Sequence, residues 1–249
     1  VLGRFEFVVP SLQEKFTYRI VTPSLESDWQ TLSAYDPPSV KSVNWVITPP
    51  DYTNEKQLSH KDFGYFRAPE GSQIFLELEL EELPENVGVY IISDDQKIPL
   101  KKLTDNIFNF ESTLEKEWKG KIQLVDLDYP KRKEVEYDEF VFAPIPDEPP
   151  IVEITEPAED LQLPSDASLL LEVFSSDDYG VTDVRINISH AGEKEEETIF
   201  VDPVQKEKTL SYVLDLNERA LATGDVITYM ALAIDNKKPE GQIARSEIY

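Results

Sequence analysis

The sequence predicts an all-β chain of tandem immunoglobulin- or fibronectin-like β-sandwich domains. Three observations carry that expectation: apolar residues alternate with polar ones at a period of two, prolines are spread along the chain, and one strand-turn-strand plan recurs. Successive side chains of a strand point to opposite faces, so alternation marks a strand buried on one side. "SVNWVI" puts Val43, Trp45 and Ile47 on one face, "IFLELELEEL" sets apolar residues against Glu77 and Glu79, and "VGVYII" continues the pattern. "LLLEVF", "VTDVRINI" and "VITYMALAI" repeat it in the second half. Only "PSLQEKF" near the start and "DLNERALA" (Asp215 to Ala222) have helical character, and the second reads as a helical turn between strands. The 18 prolines suit edge strands and linkers and argue against long helices.

An internal repeat sets the expected domains. "DPPSVKSVNWVITPP" (Asp36 to Pro50) matches "DEPPIVEITEP" (Asp147 to Pro157), each opening on a Pro-Pro pair that cannot donate ladder hydrogen bonds. "APEGSQIFLELEL" (Ala68 to Leu80) matches "LPSDASLLLEVF" (Leu163 to Phe174). Three segments share the plan of a closing half-domain, with a strand, a polar or helical turn and a long alternating strand. Two complete sandwiches are therefore expected, at 37–146 and 147–249. Residues 1–36 are read as the C-terminal strands of a truncated preceding module, or an extension packed on the first complete one. With regular turn signals and no Cys-Trp-Cys core, the fibronectin-like variant is favoured.

Composition narrows the function classes. There are 49 acidic against 24 basic residues, a formal charge of −25. That surface repels nucleic-acid backbones, which are bound through Lys and Arg, and anionic lipid. The absence of cysteine removes thiol catalysis, thiolate zinc sites and disulfides. No run of about 18 apolar residues is present. The chain, opening on Val1 and closing on "RSEIY", is expected to be a piece of a longer polypeptide.

Candidate sites are few. Asp177 and Asp178, in "SSDDYGVTDVRINI", are adjacent carboxylates that with a third oxygen donor could hold Ca²⁺. The competing expectation is a loop between strands, with Asp capping the turn, Gly180 supplying positive φ and a strand starting at Val181. Asp235, in "ALAIDNKKPEG", ends a strand much as the calcium-ligating AxDxGxP segment of cadherins does, but the DxNDN and LDRE motifs are missing. His60 and His190 stand alone in polar contexts, and Ser59, His60 and Asp62 are too close in sequence to converge as a triad. Trp29, Trp45 and Trp118 would make a carbohydrate-stacking platform only if exposed, and the alternation around Trp45 and the repeat position of Trp118 place both in the core.

At "ITPPDYTNEKQ" (Ile47 to Gln57) and "DEPPIVEITEPAEDLQLPSDASLLLEVFSSDDYGVTDVRI" (Asp147 to Ile186) the chain resembles a family of large membrane-anchored bacterial proteins of unknown function. Their tandem extracytoplasmic Ig-like repeats carry PPxYT and DDYGV motifs. The first module departs from the pattern, with "LPENVGVYI" where DDYGV should stand. The resemblance implies a non-catalytic spacer or protein-binding region in the bacterial cell envelope, on the periplasmic side, tethered through parts of the polypeptide outside this chain. A protein partner is expected, and no cofactor beyond the calcium alternative. The alternatives are a calcium-stiffened adhesion or sensing module and a carbohydrate-binding β-sandwich.

Overall fold

The structure, a computed structural model, describes residues 6–9, 15–32, 37–82, 86–129, 132 and 134–249. Most of the predicted helical stretch "PSLQEKF" lies outside the described residues, as does part of "LPENVGVYI". β1 (Phe16–Tyr18) and β2 (Gln30–Leu32) form a small antiparallel pair.

Ten strands follow: β3 (Ser39–Thr48), β4 (Leu58–His60), β5 (Tyr65–Pro69), β6 (Gln73–Glu82), β7 (Val87–Ser93), β8 (Gln96–Pro99), β9 (Lys101–Lys102), β10 (Ile107–Thr113), β11 (Trp118–Asp126) and β12 (Val135–Ile145). They form two sheets, ordered β4-β3-β6-β10-β9 and β5-β12-β11-β7-β8, with β5 and β12 parallel. Taking β3, β6, β7, β10, β11 and β12 as strands A, B, C, E, F and G, A-B-E share one sheet and C-F-G the other. That is the partition of an immunoglobulin sandwich.

The last module uses fewer, longer strands: β13 (Ile151–Glu156), β14 (Ser168–His190), β15 (Glu193–Asp215), β16 (Ile227–Asp235) and β17 (Ile243–Arg245). β14 and β15 each do the work of two strands. Residues 168–176 pair with β13 and with 207–215, whereas residues 181–190 pair with β16 and with 193–205. The register shifts between Ser176 and Val181, so residues 177–180 carry the chain from one pairing set to the other. The tandem Ig/fibronectin-like fold is thus established by strand pairing. The "DLNERALA" stretch holds the 3₁₀ turn Asn217–Arg219.

By contact density the chain divides into two compact units, one of residues 1–43, 78–109 and 121–138, the other of residues 44–77, 110–120 and 139–249. In the first, Leu78, Leu80, Val89, Ile91, Phe108, Ile122 and Leu124 are buried, the inward halves of alternating strands. In the second, Trp45 is fully buried, its ring 4.8 Å from Phe140 and 5.0 Å from Phe142. A separate cluster within that unit gathers Val152, Ile154, Leu171, Val173, Val184, Ile186, Ile188, Leu214 and Ala231.

Asp177 and Asp178 are not in a loop that ends one strand and begins another. They lie inside the continuous strand β14, at its register shift. The reason is that β15 pairs on both sides of the shift, so the ladder is bent there and not broken.

Candidate metal centre

Asp177 builds the bend. Its Oδ2 accepts hydrogen bonds from the backbone N–H groups of Tyr179 (2.9 Å) and Gly180 (2.6 Å), which the register shift leaves without ladder partners. Its Oδ1 is buried and has no hydrogen-bond partner. Asp178 is exposed, and its carbonyl accepts from Lys206 Nζ.

Asp147, which the sequence reading did not single out, completes the group. One carboxylate oxygen from each of Asp147, Asp177 and Asp178 lies within 4.8 Å of the others. The Asp147 side chain is 2% exposed and neither of its oxygens completes a hydrogen bond. Lys237 Nζ stands at 3.9 Å, the outer limit of an ion pair, and the Tyr52 hydroxyl approaches without good hydrogen-bond geometry. The Asp147 backbone is fixed from the other side, where its carbonyl accepts from Gln242 Nε2 at 3.0 Å.

Asp235, the third residue expected as a ligand, falls outside that trio. Its Oδ1 accepts from the N–H groups of Lys237 (3.0 Å) and Gln242 (2.7 Å), so it closes the turn after β16. Its Oδ2 is buried without a partner, and its charge bears on both Asp147 and Asp177. Asn236 Nδ2 donates to the carbonyls of Tyr52 (2.8 Å) and Tyr179 (3.3 Å), leaving Oδ1 buried and unpaired. The rings of Tyr52 and Tyr179 meet edge to face, centroids 5.9 Å apart. Burial and nearby carboxylates push the Tyr179 hydroxyl up to about 12.

Burial raises the Asp147 carboxyl above its ordinary range, and the charges of Asp235 and Asp178 add to it against the opposing Tyr52 and Lys237. Asp177 is raised too, by burial and then by Asp178 and Asp235, despite its two backbone donors. Asp126 is the contrast. It is 4% exposed, yet Arg132 (2.6 Å) and the N–H groups of Asp128 and Tyr129 satisfy it, and they overcome burial to hold its carboxyl below the usual range. The two carboxyls give opposite pH signatures. A group raised on folding withdraws stability above its unfolded pKa of about 4, and the loss fades as pH falls from the folded pKa toward that value. In chelator, Asp147→Asn should therefore melt above wild type at pH 7, with the gap closing toward pH ~4. Asp126→Asn should melt below wild type at pH 7, and that gap should close only below pH ~4. Melting temperatures across pH check both signs.

The other candidates separate cleanly. Ser59 Oγ donates to Asn44 Oδ1 at 2.8 Å, and His60 packs its ring 4.6 Å from Phe66 at the end of β4. His190, at the end of β14, pairs with Asp225 at 3.2 Å. Both histidines thus sit at strand ends. Trp118 is half-buried and stacks on Phe110 (5.4 Å) and Phe142 (5.8 Å). Trp29 is 61% exposed, with the Arg19 guanidinium 5.0 Å from its ring centroid.

Residues 25–235 match the family described as a domain of unknown function, DUF4175. The chain belongs to that family. The DUF4175 chain is 15% identical to the Clostridium thermocellum CbhA fibronectin(III)-like modules, with 74% of this chain and 87% of that one covered at a TM-score of 0.26. It is 11% identical to DIP-gamma IG1+IG2, covering 85% and 96% at a TM-score of 0.31. A search of curated proteins finds no match. The fold assignment rests on strand pairing and not on these distant likenesses.

Proposed function

We propose that this DUF4175 chain is a non-catalytic spacer and protein-interaction region, part of a larger membrane-anchored protein of the bacterial envelope and exposed on the periplasmic side. Among the described residues no helix is long and apolar enough to cross a membrane, so the anchor in this reading lies outside the chain.

One observation carries the reading. The two motifs of the resemblance, "PPDYT" and "DDYGV", meet: Tyr52 and Tyr179 pack edge to face, and Asn236 hydrogen-bonds both of their carbonyls. The first motif is thereby held against the second within one compact unit, and that stiffness supports the reading of a stalk that transmits position. A hinge there would waste the spacing that serial sandwiches provide. The charged β15 suits the same role, since "EKEEET" on an exposed strand discourages edge-to-edge pairing with other chains.

Limited proteolysis tests the clasp. Wild type should resist cutting in the 144–150 segment, and Asn236→Ala or Tyr179→Ala should raise its cleavage rate by about tenfold, one broken contact set of roughly 1.4 kcal/mol. Small-angle scattering showing residues 37–146 and 147–249 to move freely in wild type would sink the spacer reading.

A further inference from the structure

We propose that Asp147, Asp177 and Asp178 form a calcium site. An acidic cluster alone would be weak grounds on a surface carrying 49 carboxylates. The second observation is burial without partners. Asp147 (7% exposed), Asp235 (2%) and Asn236 (8%) each hold at least one buried side-chain oxygen that no donor satisfies. Buried polar atoms are paired in the great majority of cases, and the orphan oxygens of Asp147 and Asp177, brought into one carboxylate cluster, call for a cation. Asp126 shows what this chain does with a buried carboxylate that needs no ion: it surrounds it with three donors.

The donors decide which ion. All are oxygens, with no imidazole or thiolate among them, which selects a hard cation over zinc. They come from a linker residue and a strand bend, so their geometry is irregular. Ca²⁺ accepts six to eight oxygens in flexible arrangements, whereas Mg²⁺ demands a near-ideal octahedron and sheds water reluctantly. The strand bend at Asp177 is already held by its own backbone hydrogen bonds, with Oδ1 left out of them. An ion here would cross-link residues 147 and 177–178, next to the Tyr52–Tyr179 clasp.

This inference goes beyond the spacer reading, and the two fail separately: the clasp is read by proteolysis in chelator, the site by metal dependence. Thermal unfolding in about 10 mM CaCl₂ against EDTA, with MgCl₂ as control, is the direct test. With Kd of about 10⁻⁴–10⁻³ M, as in extracellular calcium modules, CaCl₂ should raise the melting temperature by roughly 3–10 °C, and MgCl₂ by far less. Tb³⁺ as a second probe should show luminescence sensitised by the nearby tyrosines and be displaced by Ca²⁺. Asp178→Asn, an exposed change that does not threaten folding, should weaken Ca²⁺ by about tenfold or more. Asp147→Asn should abolish the calcium shift while its melting temperature in EDTA stays at or above that of wild type. No calcium shift, an equal shift with Mg²⁺, or a wild-type shift in both variants would overturn the site.

Discussion

Trp45→Ala should remove about 4 kcal/mol of stability and lower the melting temperature by roughly ten degrees. Trp45 is 0% exposed and its ring lies edge-on or tilted to three others: Phe140 at 4.8 Å, Phe142 at 5.0 Å and Trp118 at 6.5 Å. Such aromatic contacts add to the burial of a large apolar surface, and the backbone of β3, held between β4 and β6, cannot collapse into the hole. The indole Nε1, however, is buried without a partner. A buried unpaired N–H costs about 1–3 kcal/mol, so Trp45 keeps less than its packing alone would give. Trp45→Phe retains one ring and deletes the orphan donor. Its loss should stay near 1 kcal/mol, well short of proportional to the volume removed. Urea unfolding followed by far-UV circular dichroism reads both variants. An alanine variant losing less than about 1 kcal/mol would contradict the packing of this core.

Trp45 also shows what the sequence makes legible. Val43, Trp45 and Ile47 alternate with polar neighbours, and all three are buried in the structure. The same logic places Leu171 and Val173 in β14, and Ala231 and Ala233 in β16. Period-two patterning is a local signal, decided by one strand and one buried face, so it survives without tertiary knowledge. Strand continuity is not local. Nothing in "SSDDYGV" says that β15 pairs on both sides of the bend, so a Gly with two aspartates reads as a turn. The site is legible in part for the same reason. Asp177 and Asp178 stand out because they are adjacent, and Asp235 because it ends an alternating run. Asp147 is 30 positions before Asp177 and reaches it only through the fold. Its one signal is an acidic residue ahead of a Pro-Pro pair, the place Asp36 holds in the earlier repeat. Asn236 carried no sequence signal beyond following Asp235, and its role depends on Tyr52, 184 residues away.

Gly180→Ala should cost about 2–5 kcal/mol, and the reasons for that loss can be separated by a second change. The residue holds φ at +141°, a conformation side chains disfavour by about 1–3 kcal/mol. A Cβ there would also stand 2.2 Å from Val204 Cγ1, an overlap that a β-branched side chain relieves poorly. Val204→Ala removes the overlap and leaves the backbone strain. The double variant should therefore recover about half of the loss, and an additive outcome with no recovery would mean the two residues do not meet. Full recovery would mean that φ at 180 is not constrained. The consequence reaches the carboxylates, because the Gly180 N–H is the 2.6 Å donor that fixes Asp177 Oδ2 and so aims Oδ1 elsewhere. If Asp177 is aimed by this bend, the double variant, even where it regains stability, should need several-fold more Ca²⁺ to reach half of its calcium-dependent shift. A double variant with wild-type calcium response would show that the glycine serves the sheet bend alone and that Asp177 finds its place without it.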